Sequence, residues 1–271
     1  MSRTLSVIMG PFIYLSRKLK GKIIGRLEAQ IKDQKEQIKN LRIRTNMLTE
    51  MAAGIKSGRQ IQFRGQVDQD LLAYLFFKGR KNGFYIDIGA NDGLTLSNTY
   101  AFEQLGWMGA CVEPVPDVFL KLRQNRKCDC YNAAITDQSG NEVNFIKASG
   151  VDMLSGLESD MTEGHKKRIM DEKGKLEIIK VKTLSFNELM SNYADTGFID
   201  FMSIDVEGAE MSILKAIDFD KYCFGLITVE NNEEAAGNIG DMKKYMMEKG
   251  YEVFLDLGLD IMFTPSIKRN G

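Results

Sequence analysis

With 271 residues, 44% of them hydrophobic, and a net charge of -1, the chain can bury a sizeable core, and no apolar run approaches the roughly 20 residues that span a bilayer. The balance hides an asymmetry: residues 1–60 carry 13 Lys/Arg against 4 Asp/Glu and the remainder 23 against 33, so the main body is acidic and nucleic acid is not an expected partner. Four cysteines (Cys111, Cys128, Cys130, Cys223) without paired Cys-x-x-Cys spacing and a lone His165 argue against a zinc site and a His-based triad, and thiols in predicted strands fit a reducing, cytoplasmic compartment.

Residues 1–22 begin with a mostly apolar stretch, Leu5 to Leu15, interrupted by Gly10-Pro11 and followed by Arg17, Lys18, Lys20 and Lys22. No small-residue cleavage site follows, which weakens a secretory reading. Two readings stay open: peripheral contact with the anionic inner face of a membrane, or a tail packed on its own domain or a partner. From 23 to 53, Ile24, Ile31 and Ile38 fall at heptad position a and Leu27, Leu41 and Leu48 at d. That pattern predicts a parallel coiled coil and a homo-oligomer. Gln34 and Thr45 interrupt the seam, and the alternative is an amphipathic helix packed on the domain. Gly54, Ser57, Gly58 and Gly65 mark a linker over 54–65, which leaves 66–271 as the main domain.

In that domain Asp68 to Phe77 reads as a helix. Strands are predicted over 84–88, 109–113, 129–135, 198–204 and 224–230, alternating with helices over 95–105, 117–126, 209–217 and 240–249. This is an α/β pattern, a mostly parallel sheet covered by helices on both faces. Tyr251–Leu255 and Asp260–Phe263 flank Gly258 and predict a closing antiparallel hairpin. Between Gly150 and Lys175 the sequence is polar and aperiodic, which predicts a long loop or lid. It carries Ser155, His165 and Lys166-Lys167-Arg168, candidates to meet a sugar or an anionic acceptor; by default His165 is a solvated loop residue.

The most informative run is Phe84-Tyr85-Ile86-Asp87-Ile88-Gly89-Ala90-Asn91-Asp92-Gly93. An apolar strand ends there in an acid and two glycines, the arrangement that holds a nucleotide-like ligand at a sheet edge. The spacing is not G-x-G-x-x-G, and Asp87 and Asp92 would repel a pyrophosphate. The acids suit a nucleoside cofactor with a positive centre and no phosphate, namely S-adenosylmethionine. Glu113 ends the next strand about 20 residues on, where an acid accepts the ribose hydroxyls. Pro114 then breaks the strand.

Asp87-Ile88-Gly89-Ala90-Asn91-Asp92-Gly93, Glu113-Pro114, Asn132-Ala133-Ala134-Ile135 and Ser203-Ile204-Asp205-Val206-Glu207-Gly208-Ala209-Glu210 resemble the FkbM family of S-adenosylmethionine-dependent methyltransferases, over about Phe84 to Phe263. The resemblance implies a class I methyltransferase fold of Rossmann-like type and methyl transfer to a hydroxyl, often on a sugar of a polysaccharide such as O-antigen or capsule, a glycolipid or a natural product. The expected cofactor set is Asp87, Gly89, Asn91, Asp92, Gly93, Ser97, Glu113, Pro114, Ala133 and Ala134, joined by Asp205.

The chemistry is expected at the carboxyl ends of the strands. Asp205 and Glu207 follow the strand 198–204, and Glu230 with Asn231 ends the strand 224–230. An alcohol is a poor nucleophile at neutral pH, so these acids are the candidate catalytic groups, as a base or as ligands of a cation that lowers the hydroxyl's pKa. Carboxylates with an amide oxygen are the hard set that Mg²⁺ prefers, which makes Asp205, Glu230 and Asn231 candidate metal ligands. Metal-free and Mg²⁺-assisted catalysis both stay open, as does capping of the helix near Ala209 by Asp205 and Glu207. Ser155, His165 and Asn231 are the expected acceptor contacts.

Overall fold

The structure is a computed structural model that describes residues 61–150, 154–193, 197–231 and 239–266, with scattered positions between 24 and 45. The chain divides into two compact units, Met1–Ala53 and Gly54–Gly271. In the first, the described positions between 24 and 45 are helical. The predicted segment 1–22, the d position Leu48 and linker residues 54–60 lie outside the described residues. Linker residues 61–65 are bonded to the domain, Gln62 N–H to Gln104 Oε1 at 3.2 Å and Arg64 N–H to Asp70 Oδ2 at 2.5 Å.

The second unit runs α1 (Gln69–Phe76), β1 (Phe84–Ile88), α2 (Tyr100–Gln104), β2 (Met108–Val112), α3 (Pro116–Asn125), β3 (Asp129–Tyr131), β4 (Ala134–Thr136), β5 (Glu142–Ser149), β6 (Gly156–Leu157), α4 (Glu163–Asp171), β7 (Lys175–Ser185), α5 (Phe186–Ser191), β8 (Phe198–Ile204), α6 (Glu210–Ala216), β9 (Cys223–Glu230), α7 (Ile239–Glu248), β10 (Tyr251–Asp256) and β11 (Asp260–Pro265). Seven strands form the main sheet in the order β10-β11-β9-β8-β1-β2-β3. The run β3-β2-β1-β8-β9 is parallel, and β11 pairs antiparallel with β9 and β10. This is the class I methyltransferase arrangement, with its closing hairpin.

Every residue of β1 is buried, which is why the strand reads as a continuous apolar run broken only by Asp87. One face of the sheet sets Ile86, Ile88, Val112, Met202, Ile204, Ile227 and Val229 in a core with Phe186, Leu189, Ile213, Leu214 and Met246 from α5, α6 and α7. On the other, Phe77, Phe102, Trp107 and Phe201 meet in edge-on and tilted pairs 4.6–6.5 Å apart. The chain winds outward from β1 through β2 and β3, then returns to the opposite side as β8 and β9. Strand order therefore reverses between β1 and β8, and the crevice lies at their carboxyl ends.

Three local expectations are corrected. The strand expected over 129–135 splits at Asn132, whose Nδ2 donates to Glu113 O at 2.8 Å and Pro114 O at 3.0 Å. There β3 leaves the main sheet and β4 opens a second sheet, β4-β7-β5-β6. The expected loop 150–175 holds β6 and α4 among its described residues, the helix capped by the Thr162 hydroxyl, which accepts from His165 N–H at 3.1 Å. The helix expected over 95–105 is only Tyr100–Gln104, because Leu96 at φ 53 cannot sit in a right-handed helix.

Candidate active site

A cleft of about 1350 Å³, its solvent-open mouth included, lies at the carboxyl ends of β1, β2, β8 and β9. Gly89 opens it. Its φ is +85, and an added Cβ would lie 1.7 Å from the Asp205 carbonyl oxygen, so only glycine fits. Gly89 N–H and Ala90 N–H both donate to Val112 O at 3.0 Å, and Asp205 N–H donates to Ile88 O at 3.0 Å. These bonds tie the turn to both neighbouring strands.

Along the β1–β2 wall, the acids are held by donors. Asp87 is buried and accepts from Thr99 Oγ1 at 2.6 Å. Burial pushes its carboxyl up, with the Arg126 charge opposing. Glu113 accepts from Asn91 N–H at 3.1 Å through one oxygen and from Val115 N–H at 2.8 Å through the other. Ser97, Pro114, Ala133 and Ala134 complete this wall. Asp92 and Gly93, expected in the cofactor set, do not line it. Asp92 accepts from Leu94 N–H at 2.8 Å, Thr95 N–H at 2.7 Å and Thr95 Oγ1 at 2.7 Å; burial raises its carboxyl, but these bonds win and hold it below the usual range. A Cβ on Gly93 would come within 2.7 Å of the Arg126 and Leu122 side chains, so its role is packing.

The β8–β9 wall is different. Asp205, Glu207 and Glu230 each bring one oxygen within 4.8 Å of the others. Asp205 is exposed, Glu207 is buried on a left-handed backbone (φ 54), and Glu230 is half-buried. Desolvation in this wall, then the charges of Glu207, Asp260 and Glu210, push Asp205 well above the usual carboxylate range. Asp205 is open to the cleft on one side, so the crowding of like charges is the sturdier of these causes. Desolvation, then the charges of Asp205, Glu207, Glu210 and Asp260, push Glu230 up to about 11. Its Oε2 has no hydrogen-bond partner among the described residues. Glu210, rather than Asp205 or Glu207, secures the loop before α6, accepting from Val206 N–H at 3.2 Å and Gly208 N–H at 3.0 Å.

Two expected acceptor residues lie elsewhere. His165 is 2% exposed rather than solvated; its Nε2 is 2.9 Å from Leu154 O and its Nδ1 3.7 Å from Glu207 Oε2, so it stands behind Glu207 and off the cleft lining. Asn231 donates from its backbone to Leu259 O at 2.7 Å and from Nδ2 to Gly258 O at 2.8 Å. It staples the hairpin loop, and Glu207 takes its expected place beside Asp205 and Glu230. Ser155 does line the cleft, its hydroxyl accepting from Ala148 N–H at 2.9 Å. Arg168, one of the candidates to meet an anionic acceptor, also lines the cleft; the sequence reading missed Asn98 and Asp260 on the lining.

A model of the Methyltransferase FkbM domain matches residues 87–253. The chain belongs to the FkbM methyltransferase family. Membership makes S-adenosylmethionine the methyl donor, and the β1–β2 wall of this FkbM domain fits it: hydroxyl-binding acids, a glycine turn without Cβ, and no phosphate cradle. Distantly similar solved structures include a Pyrococcus horikoshii protein proposed to be an RNA methyltransferase (14% identity, TM-score 0.36, covering 74% of this chain and 81% of that one). Others are the METTL16 methyltransferase domain (12%, 0.38, 77% and 70%) and a chain of the fibrillarin/Nop5p complex (12%, 0.34, 72% and 79%). No curated protein matches the sequence.

Proposed function

We propose that this FkbM methyltransferase is an O-methyltransferase that acts on a sugar hydroxyl of a polysaccharide or glycolipid. The observation that carries the reading is the group of three carboxylates, Asp205, Glu207 and Glu230, across one cleft from the cofactor wall. S-adenosylmethionine supplies an electrophilic methyl on a sulfonium. The protein has to orient the acceptor hydroxyl in line with it and take up the hydroxyl proton.

Asp205 faces the open cleft and is the group best placed to accept that proton. Beyond desolvation, the charges of Glu207, Asp260 and Glu210 crowd it, which raises its affinity for a proton or any other positive charge. The three carboxylates also fit a hard divalent cation such as Mg²⁺, which would lower the pKa of a hydroxyl beside it. Ser155 and Arg168 line the acceptor side and are assigned to hold the glycan. The heptad seam over 23–53 supports self-association, and the basic flank of residues 1–22 supports contact with an anionic membrane face. Among the described residues, no helix is long and apolar enough to cross a membrane.

The test is incubation of the full chain with labelled S-adenosylmethionine and a panel of glycans, with and without chelator. Label should enter a sugar hydroxyl, and chelator sensitivity would favour the Mg²⁺ arm over the metal-free base. Cofactor binding without transfer to any sugar overturns the acceptor assignment; absence of cofactor binding overturns the whole reading.

A further inference from the structure

We infer that Cys128 is a reactive thiol that oxidises to a disulfide with Cys111, a modification site at the β2–β3 end of the sheet, outside the methyl-transfer cleft. Cys111 is wholly buried in β2, while Cys128 is partly exposed on the connection from α3 to β3. Their sulfurs lie 3.4 Å apart. Cys130, paired in register with Cys111 on β3, reaches the Cys128 carbonyl at 3.5 Å.

What sets this cluster apart from packed apolar thiols is Arg126. Its side chain is 0% exposed, with Nε donating to Glu103 at 3.2 Å. One terminal nitrogen donates to Gly93 O and Ser97 Oγ, the other to Tyr85 OH at 2.7 Å and Thr99 Oγ1 at 3.1 Å. These bonds fix the guanidinium, and its charge acts on the sulfurs of both Cys111 and Cys128. The side-chain interactions with Cys111 and Cys130, then the Arg126 charge and the Tyr85 hydroxyl, hold the Cys128 thiol well below its usual range against burial. Burial pushes Cys111 the other way. One sulfur is thus primed to attack and its neighbour to resolve, an asymmetry that redox-reactive pairs share.

With a hydroperoxide as oxidant, the Cys128 thiolate attacks the outer oxygen; the S–O bond forms, the O–O bond breaks, and the departing alkoxide or hydroxide takes up a proton. Cys111 sulfur then attacks the sulfenic acid, the S–S bond forms, and hydroxide leaves with the Cys111 proton as water. Two thiols lose two electrons in all, and the peroxide gains them.

The experiment uses the full chain and peptide mass spectrometry. In a brief iodoacetamide pulse at pH 6, Cys128 is expected to label at least tenfold faster than the exposed Cys223, which serves as internal control. After hydrogen peroxide treatment, trypsin cuts between the two cysteines at Lys121 and Lys127, so the disulfide appears as a linked peptide two hydrogens lighter. Cys130→Ser should retain that link, and Cys111→Ala should instead leave Cys128 as a sulfenic acid trapped by dimedone. Equal labelling of Cys128 and Cys223 overturns the inference, as does a Cys128–Cys130 bridge or the absence of the linked peptide in both wild type and Cys130→Ser.

Discussion

The two walls of the cleft handle acidic side chains in opposite ways. On the β1–β2 side, each acid is met by donors: Thr99 for Asp87, and the Asn91 and Val115 amides for Glu113. On the β8–β9 side, Asp205 and Glu230 are surrounded by further acids, Glu207, Glu210 and Asp260. The first wall is finished as it stands and fits a ligand by shape and hydrogen bonds. The second is under electrostatic strain that a proton, a cation or a hydroxyl proton in transfer relieves. On the proposed function, binding and chemistry are divided between the two halves of a doubly wound sheet.

The sharpest way to break this division is Asp205→Asn. It should lower methyl transfer by about 10²–10⁴-fold, the range for a lost acid–base group, while cofactor affinity measured by calorimetry stays within a few fold. A parallel loss of cofactor binding would merge the two walls into one function. The reciprocal change, Glu113→Ala, should weaken S-adenosylmethionine binding by roughly tenfold or more, since hydrogen bonds to a charged group contribute about 1.5–3 kcal/mol. The bound fraction should still react, so turnover at saturating cofactor is the deciding measurement.

A subtler probe is pH. Burial, with Glu210, pushes Asp260 from 3.8 up to about 6 against the Gln69 hydrogen bond of 2.7 Å. Between those two values the folded chain holds a proton that the unfolded chain has lost. Stability should therefore fall as pH rises from about 4 to 6, by at most about 1.4 kcal/mol per unit. Asp260→Asn should flatten that slope in urea unfolding followed against pH; an unchanged slope would place the strain elsewhere. The smallest effect is expected from Asp92→Ala. Losing the amide bonds of Leu94 and Thr95 should cost about 1 kcal/mol of stability, with cofactor affinity unaltered, because Asp92 shapes the turn rather than the wall.

The central sheet was open to a reader of the sequence because buried parallel strands carry their signal in consecutive residues. Phe84–Ile88 and Phe198–Ile204 appear with the boundaries expected of them. The second sheet was hidden for the opposite reason. Its strand Lys175–Ser185 alternates charged with apolar residues and leaves Ile178 60% exposed, so no apolar run marks it. The same limit applied to the insertion, where His165 reads as polar loop and is buried against Leu154 and Glu207.

By itself, the sequence determined the order of strands and helices, the glycine turn, and the acids at four strand ends, since each depends on neighbours along the chain. Only the tertiary structure decided which of those acids are satisfied and which are crowded. Asn231 turned to the hairpin and Glu207 turned to Asp205 and Glu230 because contacts between β9, β11 and the loop before α6 join residues far apart in the chain. Charge repulsion and hydrogen bonding depend on distance in space, and that distance is fixed only once the sheet has closed.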